Sequence, residues 1–262
     1  MTPLLEVRDL TCRLGGKPIL HEVSFEVQEG EFLSVLGPNG SGKTTLLRCL
    51  MGLVPFDRGR VRLAGRALSA YRRRALARLA SYVPQAMGDA PEFTVHAFVL
   101  MGRYPHLSPF TSTRSEDEAA VRDALQATDT QRFADRTLPT LSGGERQAVY
   151  IAAALAQGAR LLLLDEPTTF LDPLHAANIG RVLAHLNRDK GVAVVNVTHD
   201  INRAALSSHR VLALRGGRVA FHGGPAELMA AGVLESIYGK PFLYAAHPQN
   251  GRPVVVPEEA QP

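Results

Sequence analysis

The stretch Glu31-Phe-Leu-Ser-Val-Leu36-Gly37-Pro38-Asn39-Gly40-Ser41-Gly42-Lys43-Thr44-Thr45 decides the fold. Residues 31–36 are an apolar run of the kind that a parallel sheet buries on both faces, and a glycine-rich turn follows at once. Residues 43–53 then carry helical character. Gly37, Gly40 and Gly42 admit backbone conformations that a Cβ would obstruct, so successive N–H groups can turn inward around an anion at the helix N-terminus. The chain holds 29 basic residues and nearly all are Arg, yet this loop uses Lys43, where a compact ammonium is needed.

The spacing Gly-x4-Gly-Lys-Thr between strand and helix is that of a phosphate-binding loop. Lys43 is expected to reach the β- and γ-phosphates and Thr44 to set its hydroxyl on Mg²⁺, so Mg-ATP is the implied ligand of Gly37 through Thr45.

Outward from this loop, residues 5–8 and 23–27 read as short alternating strands. Residues 59–64 and 81–83 read as strands that bracket a basic helix over 71–79. From 94 to 158 the pattern turns helical, clearest over 116–128 and 144–157. Strand and helix then alternate again: strand 160–164, helix 173–188, strand 192–197, helix 201–207, strand 211–214 and a hairpin to 221.

Leu161-Leu-Leu-Leu-Asp165-Glu166 is a buried strand that ends in two carboxylates, where open α/β sheets present ligand-binding groups. Asp165 would hold Mg²⁺ through water, and Glu166 would polarise the water that attacks the γ-phosphate. Gln85, in Tyr-Val-Pro-Gln, ends another strand and can bind Mg²⁺ or that water. His199, in Thr-His-Asp, ends a third and can hydrogen-bond the γ-phosphate. A second glycine-rich helix start, Leu141-Ser142-Gly143-Gly144-Glu145-Arg146-Gln147, implies a second anion-facing task, because one such terminus already serves the chain's own nucleotide.

These segments, in this order, resemble the ABC ATPase family over about residues 4–240. The 141–145 segment is similar to the family signature, Gln85 to the Q-loop glutamine, Leu171-Asp172 to the D-loop and His199 to the switch histidine. The resemblance implies an α/β fold: a P-loop NTPase (RecA-like) core over 1–90 and 159–240 with an antiparallel β subdomain, and an inserted α-helical signature subdomain over 91–158. A C-terminal extension over 241–262, weakly ordered from 246 on, completes a single ABC ATPase domain.

It also implies a head-to-tail homodimer, with Ser142 and Gly144 contacting the γ-phosphate bound by the other copy. Two departures stand out. Leu14, in Cys12-Arg13-Leu14-Gly15, occupies the place where the family usually stacks an aromatic ring on adenine. Ala152-Ala153-Ala154 replaces a stretch where many relatives carry Arg.

Met101-Gly-Arg103-Tyr104-Pro-His106-Leu107 resembles the segment after the Q-loop in ATPases that import iron-siderophores, haem and vitamin B12. In that group it faces a permease. Arg78 through Gln85 and His247 through Pro253 resemble the same group. The implied protein is a transport ATPase on the cytoplasmic face of the inner membrane, peripheral through a multi-span permease dimer and served indirectly by a periplasmic or surface substrate-binding protein. Another cargo such as molybdate, or a soluble ABC ATPase acting on a protein partner, is the alternative.

Composition excludes other classes. At 262 residues and net charge +4, with no basic block longer than residues 72–74, the chain is not a dedicated nucleic-acid binder. Its apolar runs are far shorter than the roughly 20 residues that span a bilayer. An N-terminus without a basic cluster and apolar stretch argues against export. Cys12 and Cys49 show neither disulfide nor zinc spacing.

Overall fold

A computed structural model describes residues 2–85, 90–107, 113–169 and 171–256. In chain order the elements begin β1 (Leu5–Leu14), β2 (Lys17–Val27), β3 (Phe32–Leu36), α1 (Lys43–Leu50), β4 (Arg58–Leu63) and β5 (Arg66–Ala67). They continue with α2 (Arg73–Ala77), β6 (Ala80–Val83), α3 (Val95–Met101), α4 (Ser115–Ala127), α5 (Gly143–Ala156), β7 (Leu161–Asp165) and α6 (Pro173–Lys190). Last come β8 (Ala193–Val197), α7 (Ile201–Ser207), β9 (Arg210–Arg215), β10 (Arg218–Gly223), α8 (Pro225–Leu228), α9 (Val233–Tyr238), β11 (Leu243–Ala246) and β12 (Pro253–Val256). No helix among the described residues is long and apolar enough to cross a membrane.

The chain divides into two compact units, Met1–Gly65 with Val195–Pro262, and Arg66–Val194. In the first, β1 pairs antiparallel with β2 on one side and β4 on the other. Both β1 and β2 run longer than the sequence pattern suggested. Asp9 and Glu22 adopt positive φ (51° and 53°), and the register of β1 slips between Val7 and Leu10. Such bulges break the period-2 alternation that marks a strand, which is why only the ends of these strands were legible.

In the same unit β3 lies parallel to β9, from Leu33↔Arg210 to Leu36↔Ala213, and β10 returns antiparallel to β9. Every residue of β3 is buried. Its start is clamped where Arg210 donates through Nη2 to Glu31 Oε2 (2.9 Å) and to Glu26 O (2.8 Å). This ion pair pushes the Arg210 guanidinium pKa up, the Glu31 hydrogen bond being the main cause.

Residues 253–256, within the stretch read as weakly ordered from 246 on, form a strand. Leu243↔Val256 to Ala246↔Pro253 form a hairpin, and Asn202 of α7 holds it through Asn202 Nδ2 to Val255 O (2.9 Å) and Val255 N to Asn202 Oδ1 (2.7 Å). Residues 257–262 lie outside the described residues. Beneath it, Leu228, Leu234 and Ile237 close a cluster on Leu36, Ala204 and Ala213.

In the second unit β6 and β7 run parallel, Ala80↔Leu161 to Val83↔Leu164. In this unit β6, β7 and α6 lie together with α3, α4 and α5. Gln157, just past α5, donates to Ala80 O (2.9 Å), and both Arg74 and Arg78 donate to Pro105 O (3.0 and 2.8 Å).

In the triplet at 152–154, Ala152 and Ala154 are buried. The close approach here requires a small residue at Gly102, just past α3, where a Cβ would lie 2.2 Å from the Ala153 carbonyl oxygen.

Candidate active site

In the first unit the phosphate loop joins β3 to α1. Gly37, Gly40 and Gly42 all have positive φ (139°, 76° and 100°). A Cβ on Gly37 would lie 2.1 Å from Leu214 O, and one on Gly42 would lie 2.8 Å from Leu20 Cδ2. These positions therefore need glycine for both torsion and space.

Helix α1 starts with no side-chain cap and no acid in its first turn, so its N-terminus keeps the positive dipole end that favours an anion. Lys43 is 7 % exposed, and its Nζ donates to Gly37 O (2.8 Å) and Pro38 O (3.0 Å), so the ammonium already lies within the loop. Ser41 Oγ is buried without a partner, a polar atom that a phosphate oxygen would satisfy. The residues fit a nucleotide triphosphate.

His199 follows β8 in the same unit. Thr198 N donates to Val35 O (3.1 Å), which ties the segment to the strand that feeds the phosphate loop. Asp200 caps α7 by accepting from Arg203 N (2.8 Å), and His199 itself is exposed.

The second unit brings Gln85 and Glu166 together: Gln85 Nε2 donates to Glu166 Oε2 (2.9 Å), and Thr169 Oγ1 donates to the same oxygen (2.9 Å). Glu166 has φ 50°, a left-handed conformation that a non-glycine residue holds at a cost of about 1–2 kcal/mol. Asp165 is 1 % exposed and accepts from Tyr82 OH (3.2 Å). Tyr82 and Thr169 were not singled out from the sequence. Thr169 carried a faint signal, a hydroxyl three residues after a carboxylate at a strand end, whereas Tyr82 is identified only by strand pairing.

The 141–145 segment opens α5 as a reciprocal cap. Glu145 N donates to Ser142 Oγ (3.3 Å), and Ser142 N donates to Glu145 Oε2 (2.8 Å). The Ser142 N–H holds the Glu145 carboxyl below its ordinary range. Leu171 precedes Asp172, which caps α6 by accepting from Leu174 N (2.9 Å) and His175 N (3.0 Å). The His175 N–H is the main reason the Asp172 pKa is low.

The segment after the Q-loop is only partly outward. Arg103 Nε donates to Asp117 Oδ1 (2.9 Å) and its Nη1 to Ala156 O (2.8 Å), with both side chains nearly buried. His106 Nε2 pairs with Gln157 O (2.9 Å), while Tyr104 is 73 % exposed.

Against known proteins, residues 20–169 match the ABC transporter family. The chain belongs to that family. It is 40 % identical over 253 residues to the ferric enterobactin transport ATP-binding protein FepC of Escherichia coli, covering 97 % of this chain and 93 % of that protein. It is 43 % identical to the hemin import ATP-binding protein HmuV of Streptomyces coelicolor, covering 96 % and 89 %.

Among solved structures, one assigned to the metal-chelate type of ABC transporter, in an inward-facing conformation, superposes with a TM-score of 0.85 at 27 % identity over 98 % of both chains. A dimeric post-hydrolysis ATP-binding cassette with ADP and phosphate superposes at 0.74, 28 % identical, over 84 % of this chain and 98 % of that one. This ABC protein is thus an ATP-binding ATPase of the transport family.

Proposed function

We propose that this ABC ATPase is the motor subunit of an importer that takes up a metal chelate, such as an iron-siderophore, haem or cobalamin complex, through a separate permease. Near full-length similarity to import ATPases for ferric enterobactin and hemin is the observation that carries the reading.

In this reading Lys43 and the 37–45 loop bind the phosphates, and Thr44, Gln85 and Asp165 supply oxygens to Mg²⁺. Glu166 orients the attacking water and takes its proton, and His199 donates to the γ-phosphate.

Ser142, Gly144 and the Leu171-Asp172 loop serve the nucleotide of a second copy in a head-to-tail homodimer. The dimer closes on ATP and works a membrane permease, with Tyr104 as the outward group of the contact and Arg103 and His106 holding its segment from behind.

Glu166→Gln tests the chemistry. It keeps the shape and the Gln85 contact but removes the base, so ATP binding and a stable ATP-bound dimer remain while turnover falls by about a hundredfold or more. Undiminished turnover would overturn the role of Glu166. Co-purification of a multi-span membrane protein, and stimulation of turnover by a chelate-loaded binding protein, test the transport assignment.

Leu14 carries a smaller reading. It ends β1, is 39 % exposed, and offers adenine apolar contact without ring stacking, so base discrimination is loose. Leu14→Tyr is expected to favour ATP over GTP more than the wild type does; an unchanged ratio sinks this reading.

A further inference from the structure

The role of His175 is assigned by nothing in the motif set, and its surroundings set it apart. It lies in the first turn of α6, three residues after Asp172. Its Nδ1 pairs with Asp172 Oδ2 at 2.5 Å, and its backbone N–H donates to Asp172 Oδ1 at 3.0 Å. The other face of the same ring rests on the signature helix. A Cβ built on Gly144 would meet His175 Cδ2 and Cγ at 2.8 Å and His175 Cβ at 3.2 Å.

Gly144 has no positive φ and lies within α5, so torsion does not require glycine there; the imidazole does. Gly143, one residue earlier, faces open space. The contact is close-packed on one side and hydrogen-bonded on the other, and it is built from the second unit alone. A small cavity of about 50 Å³, lined by Gly144, Glu145, His175, Asn178 and Arg132 among others, opens beside it.

We propose that His175 is a positioning residue that couples the D-loop to the signature helix: the ring carries Asp172 on Nδ1 and bears on the Gly144 backbone, so a shift of one loop moves the other. This rests on the reading above that both segments serve the nucleotide of a second copy. The ring is held on one edge by its hydrogen bond to Asp172 and sits where a Gly144 Cβ would lie, so it spans the two segments with no longer side chain between them. Gly144 is then a glycine for two reasons, the approach of a phosphate and the seat of the imidazole.

The test is a set of variants of the full-length chain: His175→Ala, His175→Gln, Gly144→Ala and the double variant Gly144→Ala/His175→Ala. Each is assayed for ATP turnover, ATP-dependent dimerisation and thermal melting. In His175→Ala, kcat is expected to fall about tenfold, within the range of coupling mutations, while KM for ATP and the melting temperature stay close to wild type. His175→Gln, which keeps a donor for Asp172, recovers most of the loss.

Gly144→Ala is nearly inactive and melts below wild type, and removing the ring in the double variant returns the melting temperature, because the packing clash is with the imidazole. Unchanged kcat in His175→Ala, or a double variant no better than Gly144→Ala, overturns the proposal. A loss of kcat in step with a fall in melting temperature, with no rescue by Gln, overturns it as well and leaves a packing role only. Wild-type chain that neither binds ATP nor dimerises on it refutes the underlying functional reading instead.

Discussion

Two glycine-rich helix starts, one in each compact unit, solve the same terminal problem in opposite ways. At α1 all three loop glycines hold positive φ and no side chain caps the helix. At α5 the glycines are not left-handed, and Ser142 and Glu145 close a capping box that satisfies two of the terminal donors internally. The first terminus relies on backbone torsion alone to aim its N–H groups. The second satisfies part of its own need through side chains, which suits the proposed role of meeting the nucleotide of another copy.

The sharpest way to break this contrast is Gly37→Ala. The new Cβ would collide with Leu214 O at 2.1 Å in a backbone at φ 139°. The expected cost is about 3 kcal/mol or more with loss of ATP binding, read by denaturant unfolding and nucleotide titration. Gly40→Ala is its control, since φ is 76° but nothing lies within 4 Å. A cost of only about 1–2 kcal/mol is expected there, and equal losses at the two positions would show that torsion rather than space matters.

Ser142→Ala removes half of the α5 cap and should lower stability by about 1 kcal/mol. It should leave the chain's own binding of ATP, measured at protein concentrations too low for dimers, unchanged. A drop in that affinity would erase the distinction between the two termini.

The smallest effect is electrostatic. The native Glu145 carboxyl titrates below its unfolded value, chiefly through the Ser142 N–H. Its charge contributes stability in full above the unfolded value of about 4.5, and that contribution is lost as pH falls through the lower native value. The melting-temperature gap between wild type and Glu145→Gln should be level from neutral pH down to about 5.5 and narrow as the pH falls below the unfolded value. A gap that widens on acidification would reverse the assignment.

Much of this was legible because the chemistry is local. The strand before Gly37, the four leucines before Asp165 and the glycine-rich helix start at 141–147 are each written in consecutive residues. The bulges at Asp9 and Glu22 were hidden, since a single extra residue erases the alternation that reveals a strand. The C-terminal hairpin was hidden for a different reason. Its stability comes from Asn202, about 50 residues earlier, and a pattern read along the chain carries no trace of that partner.

The sequence by itself determined the family, the anion loop and the carboxylate pair, because each needs particular residue types at fixed short spacing. Only the tertiary structure decided which of those residues are already engaged. Arg103, read as a surface contact, is nearly buried on Asp117, and Gly144, read for its phosphate, also seats the ring of His175. Such pairings join residues 14 and 31 positions apart, and close packing of helices, which local spacing does not encode, brings them together.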